Sequence, residues 1–144
     1  MTMNLATSNM LALDLGDQKT GVAFIEKESW LVVPLADIPG IVLKKAAKKA
    51  IAELVFQRNI EIVVLGIPYD QHGKEGAQAK KVAAFARSLQ PAIPAVKIEF
   101  VDERFTSFQA DQEMRKMALA AKHRKKNIHA ASAMLILESY LATH

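Results

Sequence analysis

Three carboxylates in this chain directly follow short apolar runs of the kind that form buried strands. Asp14 follows a run that begins at Met10, and Asp102 and Glu103 follow a run that begins at Val96. Clustered carboxylates can hold one or two divalent cations, which position a water and neutralise charge during phosphodiester hydrolysis. Acidic residues at strand ends are also common in turns. Each carboxylate alone therefore allows a structural role, but three of them at neighbouring strand ends favour a metal-dependent hydrolytic site.

The composition is that of one globular domain. The chain has 144 residues, of which 51% are hydrophobic and 24% charged, and this length buries a core without disulfides. It contains no cysteine, which excludes thiolate metal sites. No apolar run approaches the roughly 18 residues of a membrane span, and residues 1–9 lack the pattern of a signal peptide. We therefore expect a cytoplasmic protein without a membrane partner, with a flexible leader at 1–9 and a single domain at 10–142.

The hydrophobic periodicity changes along the chain and predicts the element order βββαβαβαα. Apolar runs predict five strands, at residues 10–14, 20–25, 30–36, 61–65 and 96–101. Helical spacing predicts four helices, at 41–58, around 79–89, from the capping pair Thr106 and Gln109, and at 128–141.

This order predicts an α/β fold of the RNase H-like type. A three-stranded antiparallel meander is followed by helical crossovers to parallel strands, which gives a five-stranded mixed sheet with helices on both faces. Ligands of open α/β sheets bind beyond the carboxyl ends of the strands. The strand ends at Asp14, Gly66 and Asp102 should therefore lie side by side.

The net charge of +4 is mildly basic, and the distribution of lysine and arginine is more informative. Two clusters stand out, one at Lys44, Lys45, Lys48 and Lys49 and one at Lys122, Arg124, Lys125 and Lys126. Such runs usually form solvated faces. The second cluster, together with Lys19, could follow a nucleic-acid backbone along the strand ends. Arg104 could contact a phosphate or form an internal ion pair with Asp102. Because few aromatic residues are nearby, a structured substrate fits better than single-stranded bases.

Four motifs in order resemble the YqgF/RuvX family over residues 10–141. They are Leu13-Asp14-Leu15-Gly16 with Gly21-Val22-Ala23, Val64-Leu65-Gly66-Ile67-Pro68 with Gly73 and Glu75-Gly76, Asp102-Glu103-Arg104-Phe105-Thr106-Ser107, and Lys125-Lys126-Asn127-Ile128-His129-Ala130-Ala131. The resemblance implies an RNase H-like fold related to the Holliday junction resolvase RuvC. It also implies a nuclease associated with maturation of the 5′ end of pre-16S ribosomal RNA. Its active site would comprise Asp14, Asp102, Glu103 and a third acid on the final helix.

The chain departs from the family at that third position, where it has His129 in place of the usual aspartate. His129 could be a metal ligand or a proton carrier, it could mark a degenerate site that only binds RNA, or it could be a polar residue at the start of a buried helix. Mg²⁺ prefers oxygen ligands, whereas imidazole suits transition metals. We therefore predict a divalent metal held by Asp14, Asp102, Glu103 and His129, with Mn²⁺ favoured over Mg²⁺.

The leading hypothesis is thus a metal-dependent endonuclease that acts on structured RNA, with pre-16S ribosomal RNA as the expected substrate. One alternative is a catalytically degenerate RNA-binding factor of ribosome assembly. Another is a Holliday junction resolvase acting on DNA, which would need a symmetric dimer to cut both strands. The sequence leaves open whether the chain is a monomer or a homodimer.

Overall fold

The computed structural model describes residues 5–69, 72–103 and 128–144. Within these ranges the chain forms β1 (Met10–Leu15), β2 (Lys19–Ile25), β3 (Val33–Pro39), a 3₁₀ turn (Ile41–Leu43), α1 (Lys44–Gln57), β4 (Ile62–Ile67), α2 (Ala77–Leu89), a second 3₁₀ turn (Gln90–Ala92), β5 (Lys97–Asp102) and α3 (Ile128–Thr143). The helix predicted from Thr106 and the basic cluster at 122–126 lie outside the described residues.

The five strands form one mixed sheet in the order β3-β2-β1-β4-β5. β1 pairs antiparallel with β2, and β2 pairs antiparallel with β3. β4 pairs parallel with β1 on its other side, and β5 pairs parallel with β4. The predicted meander with added parallel strands is confirmed. β1 is the central strand, which explains its apolar sequence, because both of its faces are covered.

Side-chain alternation along the strands separates two cores, one on each face of the sheet. On β1, Leu11, Leu13 and Leu15 pack with residues of α1 and α2. Met10 and Ala12 point the other way and pack with α3. We call these sides the α1/α2 face and the α3 face. Because side chains alternate in direction along a strand, each strand residue can be assigned to one of these two faces.

The third strand begins later than its apolar sequence predicts. Residues 30–36 were expected, but β3 spans Val33–Pro39, and Trp30 and Leu31 are exposed. Glu28 has a positive φ of 69°, which turns the chain after β2, and pairing starts where Val33 meets Phe24. Because β3 is an edge strand, it tolerates the prolines at its second and last positions.

Part of the segment predicted to be a leader packs against the sheet. Ala6 is buried, and its main chain exchanges hydrogen bonds of 2.8 Å with Ser29 and Glu28. The Asn9 side chain accepts a hydrogen bond of 2.7 Å from the Lys27 main-chain N–H and donates one of 3.1 Å to the Asn59 carbonyl. These contacts tie the start of β1 to two loops at the amino end of the sheet. In the described part of the chain, no helix is long and apolar enough to cross a membrane.

Candidate active site

Asp14 lies at the carboxyl end of the central strand, on the α3 face, between two glycines. It pairs with Gly21 on β2. On its other side, Leu13 is level with Leu65 of β4, so Asp14 is level with Gly66. Neither neighbour carries a side chain, and the Asp14 carboxylate is half-buried. Of these three neighbouring residues, Asp14 alone carries a side chain.

Glu103 reaches into the space above Gly66. A Cβ added at Gly66 would lie 2.8 Å from Glu103 Oε1 and 2.6 Å from Ile136 Cδ1 of α3. The glycine thus leaves space for both the carboxylate and the helix. Because Asp14 and Gly66 are level on adjacent strands, Glu103 lies on the same face as Asp14, one strand spacing of about 4.8 Å further along the sheet.

The first turn of α3 packs on the opposite side of Asp14, over Gly21. A Cβ at Gly21 would overlap the main-chain carbonyl of His129, so only glycine allows the helix to approach so closely. Ala130 and Ala133 are fully buried beneath the helix. The half-buried His129 is therefore held by its main chain beside the strand pair that carries Asp14.

Asp102 and Glu103 divide between the two faces of the sheet. Asp102 is level with Ile67 of β4, and Ile67 is buried in the core under α1 and α2. Successive residues of a strand point to opposite faces, which places Asp102 on the α1/α2 face. The structure brings together Asp14, Glu103 and the start of α3, and it separates Asp102 from them.

The donor set on the α3 face fits a hard divalent cation. Asp14 and Glu103 lie on this face, with Glu103 Oε1 over Gly66, and Mg²⁺ is often held by one or two carboxylates, with water and substrate phosphate as the other ligands. Among residues 5–69, 72–103 and 128–144, no three histidine, aspartate or glutamate side chains come together as a ligand cluster. The described residues thus offer a two-carboxylate arrangement, with His129 nearby on α3.

The turn after β1 joins the carboxylate site to the start of α1. The main-chain carbonyls of Gly16, Asp17 and Gln18 accept hydrogen bonds of 2.9–3.0 Å from the N–H groups of residues 40–42. Lys19 follows this turn and is exposed at the same end of the sheet as Asp14. The other predicted nucleic-acid-binding residues, Arg104, Lys122, Arg124, Lys125 and Lys126, lie outside the described part of the chain.

The far end of α3 is anchored to β5 by a polar group. The Tyr140 hydroxyl donates a long hydrogen bond of 3.5 Å to Glu99 Oε1, and Lys97 Nζ lies 3.0 Å from the same oxygen. Burial, followed by the negative charge of Glu99, raises the pKa of Tyr140 above its usual value. The hydrogen bond to Glu99 raises the pKa of Lys97. These contacts help to fix the helix whose first turn covers Gly21.

Two cavities within the described ranges lie on the α1/α2 face. The larger, of about 530 Å³, is lined by residues that include Tyr69, Arg87 and Phe100. The smaller, of about 290 Å³, is lined by residues that include Asp17, Lys44 and Lys81. Neither is lined by Asp14 or Glu103.

Sequence reasoning identified the motif glycines but missed what two of them do. Gly21 and Gly66 flank Asp14 and admit α3 and Glu103 respectively. A signal was available, because glycine within an apolar strand often marks a close approach of other groups. Their exact neighbours depend on strand register, which the sequence alone does not provide.

Comparison with known structures places this fold among RuvC-like members of the RNase H class. The structure of Thermus thermophilus RuvC in complex with a Holliday junction substrate superposes with a TM-score of 0.64, at 16% sequence identity, over 92% of each chain. A second Thermus thermophilus RuvC structure gives a TM-score of 0.65 at 14% identity. The predicted RNase H-like fold is confirmed.

The chain belongs to the RuvX family, also called YqgF. The family model, described as Holliday junction resolvase, matches residues 8–143. A relative from Streptomyces avermitilis is 34% identical over 139 residues, covering 96% of this chain and 88% of its own length. Another, from a Picosynechococcus species, is 35% identical over 133 residues, covering 92% and 91%. Both are named "Putative pre-16S rRNA nuclease". The resemblance seen in the sequence motifs is thus confirmed at the level of the family.

Proposed function

We propose that this protein is a metal-dependent endonuclease that hydrolyses phosphodiester bonds in structured RNA, with the 5′ end of pre-16S ribosomal RNA as its substrate. The observation that carries the proposal is the placement of Asp14 and Glu103 on one face of the sheet, with Glu103 Oε1 over Gly66 on the strand next to Asp14. The names of the relatives support the choice of RNA. The family description leaves a four-way DNA junction as the competing substrate.

Each residue of the site has a role in this proposal. Asp14 and Glu103 hold the divalent cation through carboxylate oxygens. A cation bound there supplies neutralisation of the charge that develops on the phosphate. His129 contributes an imidazole nitrogen as a further ligand or as a carrier of the proton that leaves the attacking water. Asp102 lies on the opposite face of the sheet and takes no part in holding the cation in this proposal.

The second candidate is a non-catalytic RNA-binding factor. One observation favours it: the sequence has His129 at the position where the family resemblance implies an acid. Two carboxylates on one face speak for retained chemistry, because clustered carboxylates are common ligands of the divalent cations that assist phosphodiester hydrolysis.

The test is cleavage of an end-labelled pre-16S RNA fragment by the purified protein, with a four-way DNA junction as the parallel substrate. Asp14→Asn and Glu103→Gln should abolish cleavage, since each removes a charged ligand. Glu26→Gln is the matched control, because Glu26 is an exposed carboxylate at the other end of the sheet. RNA binding without cleavage in either Mg²⁺ or Mn²⁺ would favour the non-catalytic factor. Cleavage of the junction alone would make the protein a resolvase.

The metal preference separates the roles of His129. With imidazole as a ligand, activity in Mn²⁺ should exceed activity in Mg²⁺. His129→Asp restores the usual family residue and should shift the preference towards Mg²⁺, whereas His129→Ala should lower activity in both. If neither substitution changes the rate or the preference, His129 is a bystander.

A further inference from the structure

We propose that lysines from three elements form a phosphate-binding surface beside the carboxylate site, which continues the nucleic-acid path from Asp14 onto the α1/α2 face. This inference rests on the proposed function, because it takes the substrate to be a nucleic acid. The lysine surface consists of exposed residues on β2, α1 and α2, namely Lys19, Lys44, Lys45 and Lys81.

The turn that follows β1 brings these lysines together. Residues 16–18 begin two positions after Asp14, and their carbonyls bind the N–H groups of residues 40–42. α1 begins immediately afterwards, at Lys44. Lys19 lies directly after the same turn. Cations far apart in sequence therefore converge on one short segment at the carboxyl end of the sheet.

α2 adds a cation to the same region. Lys81 Nζ lies 3.8 Å from Asp17 Oδ1, and both side chains are about half exposed (55% and 47%). An exposed pair at this distance contributes little and gives way readily to a stronger anion. Lys81, Asp17 and Lys44 also line one cavity of about 290 Å³. Lys44 and Lys81 therefore face the same concavity, which a phosphate group could enter.

Helix stability does not explain the lysines of α1. The first turn of α1 contains no acidic residue, although the helix dipole favours anions there and opposes cations. Lys44 and Lys48, and likewise Lys45 and Lys49, repel each other as like charges four residues apart. Within the described ranges, Lys44 and Lys45 form no ion pair. Residues that weaken their own helix are expected where they serve a function.

The position of the surface favours nucleic acid over other anionic partners. A polyanion that spans both the lysines and Asp14 must be long and regularly charged, and a phosphodiester backbone has this property. The sequence interpretation had assigned the cluster at residues 44–49 to a solvated face. Lys44 and Lys45 are indeed exposed, and the fold joins the start of their helix to the turn that follows Asp14.

The test compares binding of the pre-16S RNA fragment across a series of salt concentrations, with divalent cations removed. The slope of log K against log salt is negative, and each lost phosphate contact lowers its magnitude by about 0.7 to 0.9. Lys45→Gln should therefore reduce the slope by about that amount, and Lys44→Gln/Lys45→Gln by about twice as much. The charge-preserving Lys44→Arg/Lys45→Arg variant should retain the wild-type slope.

Lys27→Gln is the matched control, because Lys27 is an exposed lysine at the opposite end of the sheet. Its slope should equal that of the wild type. If Lys44→Gln/Lys45→Gln binds like Lys27→Gln while the wild type binds and cleaves the RNA, the lysine surface is refuted and the proposed function stands. If the wild type itself neither binds nor cleaves RNA, both proposals fall together.

Discussion

Replacing Gly66 by alanine tests whether Glu103 acts beside Asp14. The new Cβ would lie 2.8 Å from Glu103 Oε1 and 2.6 Å from Ile136 Cδ1, where ordinary contact begins at 3.4 Å. The carboxylate must therefore retreat by about 0.6 Å and the isoleucine methyl by about 0.8 Å. Both obstructing atoms belong to side chains, so the strand itself can stay in place.

The expected cost to folding is small compared with the expected cost to catalysis. Overpacking typically costs about 1–3 kcal/mol, and alanine offsets about 0.5–1 kcal/mol of this by losing less backbone entropy than glycine. A displacement on the order of 1 Å at a reacting centre can lower the rate about 100-fold. We therefore expect Gly66→Ala to fold, with cleavage reduced by about 10- to 100-fold.

The assay is single-turnover cleavage of the pre-16S RNA fragment, with thermal unfolding measured on the same preparations. Gly76→Ala is the matched control, because a Cβ there meets nothing within 4 Å, and its rate should match that of the wild type. In a Glu103→Gln background, Gly66→Ala should cause little further loss of the cleavage rate, since both changes act through one carboxylate. A folded Gly66→Ala variant that cleaves at the wild-type rate would refute the assignment of Glu103.

Three further predictions concern other parts of the chain. Gly21→Ala should lower the free energy of unfolding, measured with denaturant, more than Gly66→Ala does. The reason is that a Cβ at Gly21 meets the main-chain carbonyl of His129 and not a movable side chain. Equal stabilities of the two variants would contradict the packing of α3. Lys44→Gln/Lys45→Gln should raise the free energy of unfolding by about 0.3–1 kcal/mol at low salt, because it removes cations from the helix start; a fall in stability would show that these lysines support α1. Because the pKa of Tyr140 is raised in the folded protein, its contribution to the free energy of unfolding is fully present below the usual tyrosine pKa of about 10. This contribution is lost as pH rises through the higher folded pKa. Melting of Tyr140→Phe should lack that alkaline decline, and an unchanged pH profile would contradict it.

Most of the fold could be predicted from the sequence because its elements have strong local signals. The apolar strand at β1, the β-branched run at β4 and the amphipathic pattern of α1 each indicate one type of element. The order of these elements then restricts the sheet to very few topologies. The third strand was misplaced because the apolar residues Trp30 and Leu31 suggested pairing that the turn at Glu28 prevents.

The candidate site was harder to predict because it depends on register. The sequence placed Asp102 and Glu103 together, and the resemblance assigned both to catalysis. Only the pairing of Ile67 with Asp102 and the position of Glu103 over Gly66 show that they face opposite sides. A shift of one residue in β5 would exchange their positions, and nothing local in the sequence excludes that shift.

The exchange of aspartate for histidine at position 129 is best understood from how the structure holds that residue. The main chain of His129 is fixed against Gly21, and the buried alanines that follow hold the helix on the sheet. Neither contact involves the side chain of residue 129. A substitution there can therefore change the charge and ligand type of the site while the helix keeps its place. Under the proposed function we therefore expect the histidine to change the metal preference and to leave the position of the helix unchanged.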